Sequence, residues 1–144
     1  MKIASSSKYS FCLAAACLLL AGCGKSGLEL FPVHGRVTLD GQPLADAGVM
    51  FLAGDNGPSA SGTTNSDGVF ELMTVNAVGA IGGKHDVAIA KRKYVGVKPG
   101  EPPAPGGLRV EWYSPKKYAN PSTSGFSAEV SAEDNEFNFD LTSK

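Results

Sequence analysis

Four groups of side chains in this 144-residue chain have the types or spacing that chemistry would need. The first is the thiol of Cys23, which closes Leu20-Ala21-Gly22-Cys23 at the end of a short apolar run. The second is the pair His34 and His85, the two imidazoles of the chain. A serine nucleophile needs such a base beside it. Both histidines, however, fall inside runs that read as strands, and no Gly-x-Ser-x-Gly turn is present. They read as surface or satisfied strand histidines, so no catalytic residue is expected. The third group is Asp55-Asn56 with Asn65 and Asp67, whose oxygens could meet around calcium. Turn formation accounts for the same residues, so no metal and no cofactor is expected.

The fourth group is the densest. Residues 91–118 hold Tyr94, Trp112, Tyr113 and Tyr118 among Lys91, Arg92, Lys93, Lys98, Arg109, Lys116 and Lys117. Glu101 and Glu111 are the only acids there, so the stretch carries net charge +5. Aromatic rings among cations can stack on sugar rings or meet an anionic polymer. The candidate ligand-binding residues are therefore Tyr94, Trp112, Tyr113, Lys116, Lys117 and Tyr118. The competing role is structural, with the rings covering a sheet and the lysines solvating the outside.

The elements that must position these groups begin with the N-terminus. Lys2 and Lys8 precede Phe11-Cys12-Leu13-Ala14-Ala15-Ala16-Cys17-Leu18-Leu19-Leu20. That is a basic region followed by an apolar region of signal-peptide length. It is shorter than the roughly 20 apolar residues that span a bilayer. With Leu20-Ala21-Gly22-Cys23 at its end, the segment resembles the lipobox of bacterial lipoproteins. The resemblance implies a signal peptide over residues 1–22 and acylation of Cys23, for example with palmitate. It also implies a lipidated tether over residues 23–32. Gly24 stands where Asp would resemble an inner-membrane retention signal, which favours the outer membrane in a cell that has two.

Removing residues 1–22 leaves one domain of chain, residues 33–144, with no thiol for a disulfide or a metal. The mature part has 11 basic and 14 acidic residues, so nucleic acid is not an expected partner. Seven short runs alternate with period 2, beginning with Val33–Leu39 and ending with Phe126–Val130 and Phe137–Leu141. Asp40-Gly41 and Ser66-Asp67-Gly68 mark turns between them. The strand Ala47–Leu52 is apolar on both faces, which predicts a central position. The run Val69–Thr74 reads as one strand, with Phe70, Leu72 and Thr74 on one face. Residues 92–123, rich in proline, read as a long loop, either functional or disordered. No stretch after Cys23 keeps a helical period. The expected fold is an all-β, seven-stranded, two-sheet sandwich.

The run Val33-His-Gly-Arg-Val-Thr-Leu-Asp-Gly-Gln-Pro-Leu-Ala-Asp-Ala-Gly-Val-Met-Phe51 resembles the opening of a carboxypeptidase regulatory-like domain. Thr64-Asn-Ser-Asp-Gly-Val-Phe70 and Gly83-Lys-His-Asp-Val-Ala-Ile89 resemble two later elements of that family, with Asn65 in place of Asp and His85 in place of Tyr. The resemblance implies a transthyretin-like sandwich and a non-enzymatic, accessory or binding role. A hydrolase of this fold needs several histidines and arginines and a C-terminal Tyr-Arg-Gly-Ser; this chain ends Asp-Leu-Thr-Ser-Lys. A Lys–Asn isopeptide crosslink, found in some related surface-adhesin sandwiches, is not expected: it needs a Lys on the first strand and an Asn on the last, and here the first strand carries Arg36 while Asn138 sits in the last. The expected function is a membrane-anchored, non-catalytic binding or assembly module of the bacterial cell envelope. The alternative is an accessory subunit docking to an envelope enzyme or transport complex. The expected partners are membrane lipid at Cys23 and an anionic polysaccharide or an envelope protein.

Overall fold

A computed structural model describes residues 27–54, 57–96, 100, 102 and 106–144. The signal segment, Cys23, Asp55-Asn56 and part of the proline-rich stretch, Lys98 included, lie outside the described residues. The strands in chain order are β1 (Leu30–Phe31), β2 (Val33–Leu39), β3 (Gln42–Pro43), β4 (Gly48–Ala53), β5 (Ala60–Thr63), β6 (Val69–Glu71) and β7 (Met73–Thr74). They continue as β8 (Ala77–Val78), β9 (Ala80–Ile81), β10 (Gly83–Ala90), β11 (Arg92–Val95), β12 (Arg109–Trp112), β13 (Phe126–Val130) and β14 (Asn135–Leu141). A 3₁₀ turn at Lys116–Ala119 and a single helical turn, α1 (Pro121–Ser124), complete the regular structure.

Two larger sheets carry the fold. The first has the order β13-β10-β4-β5-β7-β8. In the second, β2 lies between β14 on one side and β3 and β6 on the other. The β14–β2 pairing is parallel and runs in register from Asn135 opposite Val33 to Leu141 opposite Leu39. The sheets meet through aromatic rings. Phe51 of β4 sits 6.4 Å from Phe70, 5.7 Å from Phe137 and 6.1 Å from Phe139, all on strands of the second sheet. Such tilted and edge-on contacts add to the burial of the rings themselves.

The inward set follows the period-2 reading. Val37, Val49, Phe51, Phe70, Leu72, Val87, Ile89, Val130, Phe139 and Leu141 are buried. Phe126 and Phe137 are half-buried against the same cluster. Asp40 and Gly41 both take positive φ, 51° and 80°, as the turn between β2 and β3 requires. Gly35 has a different reason for being glycine. A Cβ there would overlap the Phe137 carbonyl oxygen on the parallel neighbour strand.

Three sequence expectations are corrected. The run Val69–Thr74 is not one strand: β6 pairs with β2, whereas β7 pairs with β5 in the other sheet. The chain changes sheets at the buried Leu72, whose N–H donates to Val33 O at 2.9 Å and whose carbonyl accepts from Gly79 N at 2.8 Å. The alternation survives the switch, so periodicity alone could not reveal it. Second, Leu30–Phe31, expected inside a tether over residues 23–32, pairs with Ala80–Ile81, and Phe31 packs on the core. Third, residues 92–123 are not a plain loop: β11 and β12 pair as a two-stranded ribbon.

Candidate functional site

The ribbon is held at its base. Lys91 donates its N–H to Ser114 Oγ at 2.8 Å and accepts at its carbonyl from Tyr113 N at 2.9 Å. Beyond it the chain is pinned by Tyr118, which is buried, stacks on Phe126 at 5.3 Å and meets Thr142 through its hydroxyl at 3.2 Å. Asn120 then caps α1 by accepting from Ser122 N, and Pro121 occupies the first helical position. Ser124 donates to Val87 O, tying the turn to β10.

In the ribbon Arg92 lies opposite Trp112 and Tyr94 opposite Val110. Paired residues and their second neighbours share a face, so Arg92, Tyr94, Val110 and Trp112 are together. Arg92 and Tyr94 wall a groove of 930 Å³ over the outer face of the six-stranded sheet. Its floor is set by register. Ala88, Met50, Ser61 and Met73 are successive cross-strand partners from β10 to β7 and line it, and Val78 on β8 continues the row beyond the groove. At about 4.8 Å per strand that row is roughly 19 Å long. Ala90 and Gly48 form part of the next row, and Ala119 and Pro121 bound the groove beside β10. Asp46 and Glu71 also line it.

This face is apolar yet uncovered: Met50 is 44% exposed, Leu52 43% and Met73 44%. The central position expected for Ala47–Leu52 is correct, since β4 lies between β10 and β5. Its second apolar face, however, is not buried by any described residue. Val75, at the β7–β8 turn, lines the groove, is 80% exposed and has φ +57°.

The six sequence candidates divide. Tyr94 lines the groove. Trp112 is half-buried beside it, with Arg92 5.8 Å and Lys116 5.7 Å from its ring centroid. Tyr113, Lys117 and Tyr118 are not brought there. Tyr113 donates to Glu111 Oε2 at 3.1 Å, and that carboxylate raises the phenol's pKa above its usual value. Lys117 lies over Tyr118 and donates to the Lys144 carbonyl at 3.2 Å. Tyr118 is a core anchor. The residues that sequence reasoning passed over are Arg92, Met50, Met73 and Val75. For Met50 and Met73 the signal was present as apolar residues on the outward parity of β4 and β7, beyond what a one-faced sheet needs.

The remaining groups are spent on structure. His34 Nδ1 lies 3.4 Å from Asp134 Oδ1, and both side chains are well exposed. His85 is buried beside Phe51, with Nδ1 on Gly83 O at 3.0 Å. Asn65 Oδ1 accepts from Asp67 N and Val69 N, which closes its turn. Among the described residues no three His, Cys, Asp or Glu side chains gather as a metal site, and no helix is long and apolar enough to cross a membrane.

No protein-family model matches the chain, and no curated protein matches it. Among solved structures it is similar to a 9R-lipoxygenase from Cyanothece PCC8801, at 13% identity and a TM-score of 0.41. The similarity covers 78% of this chain but only 16% of the lipoxygenase.

Proposed function

We propose that this chain is a bacterial lipoprotein, anchored by acylated Cys23, that serves the cell envelope as a non-catalytic binding or assembly module. Its domain is a transthyretin-like sandwich of the carboxypeptidase regulatory-like kind, and its working surface is the groove between the ribbon and the six-stranded sheet. The observation that carries the binding role is the exposed apolar pair Met50 and Met73 in the groove that Arg92 and Tyr94 wall. Fully burying a methionine is worth about 1.5–3 kcal/mol relative to leaving it exposed, so covering the exposed part of these two would contribute a fraction of that each. The anchoring role rests on Leu20-Ala21-Gly22-Cys23 and the basic and apolar segments before it. Two acyl chains hold a protein on a bilayer, where one does so only marginally.

The test uses the full-length chain produced in a bacterium with two membranes. Intact mass should show a mature N-terminus at Cys23 carrying fatty-acyl chains, and Cys23→Ser should leave an uncleaved or mis-sorted precursor. A photocrosslinking residue at Met50 should capture an envelope component that the same residue at Thr38, on the opposite outer face, does not. An unacylated mature protein would overturn the anchor. Equal capture at both positions would overturn the groove as the working surface.

A further inference from the structure

Arg92 is the groove residue whose chemistry the protein leaves unfinished. Its guanidinium lies 5.6 Å from the Tyr94 ring centroid and 5.8 Å from that of Trp112. A cation–π contact draws on the guanidinium's charge and does not consume its N–H donors as hydrogen bonds would. Among the described residues the one ion pair joins His34 to Asp134; Asp46 and Glu71 line the same groove without reaching Arg92. A cation that is ordered before its partner arrives loses less freedom on binding, and a guanidinium's N–H donors suit a carboxylate.

The rest of the groove narrows the choice of partner. Met50 and Met73 offer adaptable apolar contact, as methionines do at binding surfaces. Val75, at the β7–β8 turn, lines the groove in a left-handed conformation that β-branched residues rarely adopt. It is too exposed for packing within the chain to account for it. A sugar polymer would want a free aromatic face. Here Arg92 engages both rings, and Lys116 engages Trp112 as well. A polyanion is also poorly matched, because Asp46 and Glu71 line the groove along with Arg92. One carboxylate on an otherwise apolar chain fits this charge pattern.

Resting on the reading of the domain as a binding module, we infer that the groove takes an extended polypeptide segment of a partner protein. Apolar side chains of that segment lie on Met50, Met73 and Val75, and a single carboxylate meets Arg92.

The experiment selects peptides from a random dodecapeptide display library on the acylated full-length protein in detergent micelles. The best sequence is then synthesised with its acid and with the matching amide. Enriched peptides should combine spaced apolar residues with one Asp, Glu or terminal carboxylate. Arg92→Gln and the peptide's acid-to-amide change should each weaken binding about tenfold or more, the scale of a charge-assisted hydrogen bond. Made together, the two changes should cost little more than either alone. Ser61→Glu, in the middle of the floor, should abolish binding. Lys93→Gln, on the other face of the ribbon, should leave it unchanged. The inference is overturned if no peptide is enriched, if the enriched peptides lack an acid, or if Arg92→Gln and Ser61→Glu bind like the parent. It is also overturned if polygalacturonate displaces the selected peptide by occupying the groove. A protein that proves unacylated would remove the membrane anchor while leaving these binding results intact, so the two failures are distinguishable.

Discussion

The two outer faces of the sandwich are built on opposite plans. On the second sheet, β2 and β14 present His34, Arg36 and Thr38 beside Glu136, Asn138 and Asp140 in parallel register. These groups satisfy one another: Thr38 donates to Asp140, Arg36 N to Asn138 Oδ1 at 3.1 Å, and Asn138 Nδ2 to Glu136 Oε1 at 3.3 Å. On the six-stranded sheet the corresponding outward positions are Met50, Leu52, Met73 and Val78, each more than two-fifths exposed. The polar face is complete in water. The apolar face leaves its side chains in contact with water. Both sheets contribute to one core, so the difference between the faces does not arise from folding requirements.

The largest way to test this contrast sets the two sides of β4 against each other. Phe51→Ala should cost about 3–5 kcal/mol, as for other buried aromatics, because Phe51 is fully buried among four rings. Its neighbour Met50→Ala should change stability by no more than about 0.5 kcal/mol. Denaturant midpoints measure both. A large loss at Met50 would show that the outer face is packed after all.

The second test is on the parallel seam that supports the polar face. Gly35→Ala forces a methyl group into the Phe137 carbonyl and should destabilise by about 1–3 kcal/mol, the range for overpacked sites. An unchanged midpoint would place β14 elsewhere. The third concerns the groove's rim. Val75→Asn replaces a β-branched residue at positive φ with one that tolerates it and should raise stability by about 1 kcal/mol. The same change should weaken capture through the groove. A destabilised variant would mean that Val75 is held by packing and carries no strain.

The smallest effect is a pH dependence at the turn that follows β2. Asp40 accepts from Ser143 N at 3.0 Å, and its hydrogen bonds with Ser143 lower its carboxyl pKa below the usual value. A depressed carboxyl stabilises the fold above its unfolded pKa of about 3.9. That contribution is lost as pH falls through the lower folded value. The midpoint difference between the parent and Asp40→Asn should therefore be constant near neutrality and shrink below about pH 4. A difference that persists at lower pH would show that the carboxylate's charge is not what holds Ser143.

Much of the sandwich was legible because it depends on local alternation. A period of two states which side chains point inward, and the ten buried residues from Val37 to Leu141 named above obey it. Phe126 and Phe137 obey it in part, because each lies near the edge of the cluster. The turn at Asp40-Gly41 was legible for the same local reason, a need for positive φ. The site was less legible. Arg92–Val95 and Arg109–Trp112 are short, charged and separated by a stretch rich in glycine and proline, so nothing local announces that they pair.

The sequence by itself determined the strand parity, the turn chemistry and the clustering of aromatics with cations in residues 91–118. The tertiary structure alone decided which backbone each strand joins: the change of sheets at Leu72, the parallel union of β2 with β14, and the pairing of β11 with β12. It also decided that Tyr118 is a core anchor while Tyr94 faces a groove, although both are tyrosines among lysines. The physical reason is range. Parity and φ preference are properties of a residue and its near neighbours, whereas pairing and burial depend on which distant segment removes water from each face.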